Sequence, residues 1–227
     1  MIMQKVKFKK PRLVAFDLDG TLVDSMPAIH RAANRLRIDL GLGPIDKAAV
    51  SRCMSGPMSD FVRRVTATDG ATSAKSTERL LRGYADHYRQ ASRDGFARPY
   101  AGAFMTLSRW RQSGVAIAIL TNKAERLARA SLADTGLIGL FPSDAIIGFD
   151  TLAAAKPDPM TLNHLMSRFG TEPSETWMVG DSGVDVQSAR AVGAIAIACR
   201  YGYGDADAHQ PDAVIDDIGA MWRLVAG

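Results

Sequence analysis

Apolar residues recur along this chain in two rhythms, and the fold is expected to change where the rhythm does. Short, nearly unbroken apolar runs lie at Leu13–Phe16, Val115–Leu120, Asp144–Gly148, Thr176–Val179, Ala194–Cys199 and Ala213–Ile215. Runs of that length bounded by turn residues read as buried strands. From Tyr100 onward they alternate with stretches of helical spacing: Ala103 to Gln112, Ala124 to Ala133, Pro159 to Phe169, Val184 to Val192 and Ile218 to Val225. Near-continuous apolar strands alternating with amphipathic helices predict an α/β fold, a doubly wound parallel sheet covered on both faces.

Between Asp24 and Arg98 only the helical rhythm is present. Ile29, Ala33, Leu36 and Leu40 share one face and stop at Gly41. Phe61, Val62 and Val65 make a shorter stripe, and Leu80, Leu81, Tyr84 and Tyr88 a third, with Thr77 as its expected N-cap. Gly41-Leu42-Gly43-Pro44 and Asp69-Gly70 read as turns between them. This predicts a small helical domain, residues 24–98, inserted after the first strand of a core made of residues 1–23 and 99–227. The hinges are expected near residues 22–25 and 98–102, where the composition breaks.

Composition narrows the class without choosing a function. A chain of 227 residues can bury one full core with a small accessory domain, and 47% hydrophobic with 23% charged residues is ordinary for a globular protein. Part of the formal charge of +4 comes from a leader holding Lys5, Lys7, Lys9, Lys10 and Arg12, which reads as a solvated approach to the first strand, with no nucleic-acid role expected. Two cysteines far apart, Cys53 and Cys199, offer neither a disulfide framework nor a metal cluster. No apolar stretch is long enough to span a bilayer, and no signal-peptide core follows the basic leader. A cytoplasmic chain with no membrane partner, monomer or homodimer, is expected.

The candidate chemistry gathers after the strands. The first run ends in Asp17-Leu18-Asp19-Gly20-Thr21, two carboxylates whose mutual repulsion a divalent cation would offset. The second ends in Thr121-Asn122, and the fourth in Gly180-Asp181-Ser182-Gly183-Val184-Asp185. Lys156 sits in the loop after the third, within Lys156-Pro157-Asp158-Pro159. In a parallel sheet these points lie along one edge, so distant residues converge. Carboxylates, a lysine and small hydroxyl and amide donors there suit a dianionic group with a hard metal ion. Singly, each has a plainer reading as a turn acid, a helix cap or a solvated lysine.

In that order and spacing the residues resemble the four motifs of the haloacid dehalogenase-like hydrolase superfamily. Asp17 to Thr21 match the first, Thr121 the second, Lys156 the third, and Gly180-Asp181-Ser182 through Asp185 the fourth. The helical stretch then sits where that family carries its cap. Within the superfamily the chain is most similar to the phosphoglycolate phosphatase branch, on the run Phe16 to Ser25, on Thr121-Asn122-Lys123, on Lys-Pro-Asp-Pro, and on Tyr201-Gly202-Tyr203-Gly204. Ser55-Gly56-Pro57 lies where such caps carry a Gly-centred specificity loop. One departure is Ala153-Ala154-Ala155 before Lys156, where a basic residue often stands.

The resemblance implies a Rossmann-like core and two-step hydrolysis of a phosphate monoester on a small phosphorylated metabolite, 2-phosphoglycolate among them. Asp17 would be the nucleophile and Asp19 the acid/base. Thr121, the amide of Asn122 and Lys156 would bind phosphate. Mg2+ would be held by Asp17, the Asp19 carbonyl and Asp181, with Gly20, Ser182 and Asp185 in support. Asp19 disfavours the dehalogenases, which lack it. Lys47 and Lys75, the lysines of the cap, lack the apolar setting that a Schiff-base phosphonate-cleaving member needs. The sequence does not separate a phosphatase from a sugar phosphomutase, pyrophosphatase or nucleotidase. An intact Asp17/Asp19 pair argues against a non-catalytic phosphate- or protein-binding module. Arg52 and Arg63 are candidate cap residues for substrate preference, against a plainer reading as solvated helix arginines.

Overall fold

The computed structural model describes residues 7–54, 58–67 and 74–226. In chain order the elements are β1 (Leu13–Phe16), β2 (Val23–Asp24), α1 (Met26–Asp39), α2 (Lys47–Arg52), α3 (Met58–Val65), α4 (Ala74–Ala91), β3 (Arg98–Pro99), α5 (Ala103–Gln112), β4 (Ala116–Leu120), α6 (Glu125–Asp134), β5 (Ile146–Ile147), α7 (Pro159–Phe169), β6 (Thr176–Gly180), α8 (Gly183–Val192), β7 (Ile195–Cys199) and β8 (Ala213–Ile215). Two compact units result, Met1–Asp24 with Pro99–Gly227, and Ser25–Arg98.

The first unit is an α/β sandwich around a six-stranded parallel sheet of order β5-β4-β1-β6-β7-β8. β1 is its centre, with every residue buried and Leu13 opposite both Ala116 and Thr176. The chain leaves β1, builds β4 and β5 on one side, then crosses to build β6, β7 and β8 on the other. That reversal opens a crevice at the C-terminal end of β1.

Alternation along each strand sorts the side chains onto two faces. Leu13, Ala15, Ala118, Leu120, Met178, Ala196 and Ala198 pack with Leu162, Leu165 and Met166 of α7 and Val186 and Ala189 of α8. On the opposite face Trp177 meets Trp110 of α5 edge-on at 5.7 Å, and Trp222 stacks on Trp110 at 3.8 Å. With both faces covered, no strand needs a polar side, which is why the sequence shows unbroken apolar runs.

Two elements of this unit differ from expectation. β5 pairs only through Ile146 and Ile147, opposite Ile119 and Leu120, because Pro142 and Asp144 hold the preceding residues in a 3-10 turn. The closing segment, Ile218–Leu224, is a 3-10 helix where an α-helix was expected. Gly219 in its first turn weakens the α-helical alternative that the apolar spacing suggests.

In the second unit α1 buries Met26, Ala28, Ile29, Ala32, Ala33 and Leu36, and it packs against α4, whose buried side chains are Leu80, Tyr84, Tyr88 and Ala91. Phe61 of α3 meets Tyr84 edge-on at 5.1 Å. Leu40, expected on the buried stripe, is 46% exposed, since α1 stops at Asp39 and Leu40 becomes its C-cap. Thr77 lies inside α4, which begins at Ala74. The short α2, capped by Asp46 accepting from the Ala49 amide at 2.6 Å, had no counterpart in the periodicity. Lys5, Ser55-Gly56-Pro57 and Asp69-Gly70 lie outside the described residues.

Among the described residues no helix is long and apolar enough to cross a membrane. Cys53 and Cys199 are both free thiols. Trp110→Ala is expected to lower stability by about 3–5 kcal/mol, the usual cost of a buried Trp truncation. Urea unfolding of wild type and variant checks this, and a difference below about 1 kcal/mol would mean that the aromatic cluster is not the keystone of that face.

Candidate active site

Three strand ends set the geometry. Phe16 lies opposite Ile119 on one side and Val179 on the other, so Thr121 and Asp181 flank Asp17 from β4 and β6, each one residue further out. The Asp17 amide donates to the Val179 carbonyl at 2.8 Å and the Thr121 amide to the Ile147 carbonyl at 3.0 Å. Sheet hydrogen bonds thus carry one residue past the strands and fix where these side chains start.

Lys156 reaches in from the loop after β5, and its peptide bond to Pro157 is cis. Its Nζ donates to Asp17 Oδ1 at 2.7 Å and to Asp185 Oδ1 at 2.5 Å, and all three side chains are buried. Asp185, in the first turn of α8, accepts on Oδ2 from the Ser182 amide at 3.0 Å and hydroxyl at 2.7 Å. Asp181 accepts on Oδ2 from the amides of Tyr203 and Gly204, both at 2.9 Å. Carboxylate oxygens of Asp17, Asp181 and Asp185 all lie within 4.8 Å of one another.

Burial first, and like charge after it, raise two of these carboxyls. Burial, opposed by Lys156 and reinforced by Asp185 and Asp19, pushes Asp17 from 3.8 up to about 6. Burial, with Asp17 and Asp185 adding and the two backbone amides opposing, pushes Asp181 up to about 8. For Lys156 burial works against the ammonium, but the charges of Asp17 and Asp185 outweigh it and the group is held above its ordinary value. Four carboxylates, Asp17, Asp19, Asp181 and Asp185, face two ammonium groups, leaving a formal excess of two negative charges.

These residues fit a divalent cation. The donors are hard oxygens of the kind that suits Mg2+, Mn2+ or Ca2+. Space is kept for them by glycine: at Gly20, with φ +88°, a Cβ would overlap the Asp181 carboxylate, and at Gly202 it would overlap Asp181 and the Gly20 carbonyl. A dication would offset the carboxylate repulsion that adds to burial in raising Asp17 and Asp181.

Asn122 is exposed, and its side-chain amide donates to the Lys156 carbonyl at 3.1 Å, tying the second strand end to the third loop. Asp19 lies in the turn after β1, and Lys123 Nζ donates to both its carboxylate oxygens, at 2.8 and 3.0 Å. In the other unit Arg63 pairs with Asp60 on its own helix, and Arg52 is exposed at the end of α2.

Sequence reasoning placed Lys123 and the Tyr201–Gly204 stretch only as parts of a resemblance and gave neither a role at the site. The stretch supplies the two amides on Asp181, and the Tyr201 hydroxyl, which burial raises above its ordinary range, donates to the Thr21 carbonyl at 2.8 Å. Its ring meets Tyr100 edge-on at 4.8 Å. The signal that could have found it was a Gly-Tyr-Gly run at the end of the strand beside the Asp181 strand.

The family model described as haloacid dehalogenase-like hydrolase matches residues 14–199, and the chain belongs to that family. It is an enzyme of the hydrolase class, and its relatives are phosphatases. A phosphoglycolate phosphatase of Chromobacterium violaceum is 36% identical over 222 residues, 97% of this chain and 99% of that one. One of Pseudomonas putida is 37% identical over 221 residues, 93% of this chain and 78% of that one. In fold the chain is similar to the crystal structure of a predicted phosphoglycolate phosphatase from Haemophilus somnus, with a TM-score of 0.85, 24% identity, and coverage of 98% and 99%.

The raised carboxyls give a testable sign. Folded values above the ordinary one mean that the folded chain holds protons which the unfolded chain has lost, so without metal these groups reduce stability as pH rises from about 4 to about 8. A cation must displace those protons, so its affinity should climb through the window from about 6 to about 8. The rise in melting temperature with added MgCl2 should be larger at pH 8.5 than at pH 5.5, and an equal rise at both would dissociate the cluster from metal binding.

Proposed function

We propose that the protein is a cytoplasmic, Mg2+-dependent phosphate monoester hydrolase working through an aspartyl-phosphate on Asp17, with a small phosphorylated metabolite such as 2-phosphoglycolate as substrate. The observation that carries the reading is the meeting of Asp17, Lys156, Asp181 and Asp185 at one sheet edge, in a chain about 36% identical to phosphoglycolate phosphatases over nearly its whole length.

Asp17 attacks phosphorus with the oxygen that Lys156 does not engage; the new O–P bond forms as the bond to the leaving oxygen breaks. Asp19 gives its proton to the departing alkoxide. In the second step Asp19 takes a proton from water, the water oxygen bonds to phosphorus, and the Asp17 carboxylate leaves. Thr121, the Asn122 amide and Lys156 hold the phosphoryl oxygens, in a place where donors need not reorganise as charge develops. Asp17, Asp181 and the Asp19 carbonyl would hold Mg2+, which when bound neutralises charge on the phosphoryl group. Asp185 keeps Lys156 aimed, and Ser182 keeps Asp185 aimed. The helical unit Ser25–Arg98 is assigned the selection of the leaving group.

Asp17→Asn should fold and form no phosphoenzyme, whereas Asp19→Asn should lose about 10²–10⁴ in turnover, the usual weight of a general acid/base. Acid-quenched trapping with 2-phosphoglycolate labelled at phosphorus, followed by base lability, reads the first. A screen of small phosphate esters with Mg2+ and with chelator reads the second and the substrate together. Label on the Asp17→Asn chain would move the nucleophile elsewhere, and unchanged hydrolysis in chelator would remove the metal.

A further inference from the structure

We propose that Lys123 is a positioning residue for Asp19, tying the acid/base carboxylate to the same turn that carries Thr121. The inference rests on the phosphatase reading above and adds a residue to its machinery.

The contact is built rather than incidental. The Lys123 side chain is 5% exposed and that of Asp19 19% exposed, and the ammonium meets both carboxylate oxygens. Withdrawing a lysine to that degree costs hydration that only a well-placed partner offsets. The backbone of Lys123 is also held from two directions. Its amide donates to Thr121 Oγ1 at 3.2 Å, and its carbonyl accepts from the Phe149 amide at 3.1 Å. Gly148 permits that approach, because a Cβ there would overlap the backbone of Lys123 and Glu125. The ammonium therefore projects from a fixed point, while Asp19 sits in a turn where the Gly20 amide donates to Val23 and the Leu22 and Val23 amides to Leu18.

The two lysines of the site meet different carboxylates. Lys156 serves Asp17 and Asp185, and Lys123 serves Asp19, so the acid/base is oriented separately from the nucleophile. A misplacement of about 1 Å in a reacting group costs on the order of 10²-fold. That loss should scale with how much the leaving oxygen needs a proton. It should be large for an alkoxide and small for p-nitrophenolate, which leaves without one.

The experiment measures single-turnover release of the leaving group, at saturating ester and Mg2+, for wild type, Lys123→Met, Lys123→Arg, Asp19→Asn and Asp19→Asn/Lys123→Met. The esters are 2-phosphoglycolate and p-nitrophenyl phosphate. Lys123→Met should slow glycolate release by about 10–100-fold and p-nitrophenolate release by less than about threefold. Lys123→Arg should recover part of the first loss, and the double variant should be no slower than Asp19→Asn. Equal losses on both esters, or a double variant slowed by the product of the two single effects, would overturn the positioning role while leaving the phosphatase reading intact. Near-native release by Asp19→Asn on both esters would overturn the acid/base assignment itself, and this proposal with it. Should Lys123→Met fail to fold, Lys123→Arg and Lys123→Gln against Asp19→Asn carry the same comparison.

Discussion

Lys156 Nζ stands 2.7 Å from Asp17 and 2.5 Å from Asp185, and almost no water reaches any of the three side chains. Each ion so removed from solvent loses hydration worth several kcal/mol, and only close, well-aimed partners return it. The remainder of the α/β unit can be understood as the means of holding that contact. β1 delivers Asp17, the loop after β5 delivers Lys156, and the first turn of α8 delivers Asp185. A sheet running β5-β4-β1-β6 brings those origins to one edge.

Main chain does much of the remaining electrostatic work. Asp181 is restrained by two backbone amides, and Asp185 by one amide and one hydroxyl in addition to Lys156. This leaves acidic oxygens in excess over ammonium groups at the sheet edge, the balance expected of a pocket whose partners arrive as a dication and a dianion. The glycines are the steric counterpart. At Gly20 and Gly202 even one methyl group would fill the volume that the Asp181 carboxylate needs.

The sheet was legible because its strands are buried on both faces, so their apolar runs needed no knowledge of neighbours. α7, with Pro159 at its first position and Gly170 after its last, carried its own punctuation and its limits agree to the residue. Elements that depend on context read less well. α2 is six residues with one buried side chain, too short for a period to emerge. The segment around Trp222 looks helical by spacing but is a 3-10 helix, with Trp222 stacked on Trp110. At the site, positions along the chain announced the acids, Thr121 and Lys156. They could not announce which lysine meets which acid, since pairing across the strand ends depends on side-chain direction. Lys123 lies two residues from an expected phosphate binder and was still given no role.

The place of β1 in the sheet bears on how the chain reaches its native state. Leu13 finds its two neighbours only at Ala116 and Thr176, so the innermost strand has both hydrogen-bonding edges open until distant segments are available. Pairings of such long sequence separation close late and raise contact order, which slows folding and leaves apolar edges exposed in partly formed states. The arrangement that gathers the chemistry at one point thus favours slow folding of this α/β unit, since Asp17 gains its flanking groups only when these distant strands have paired.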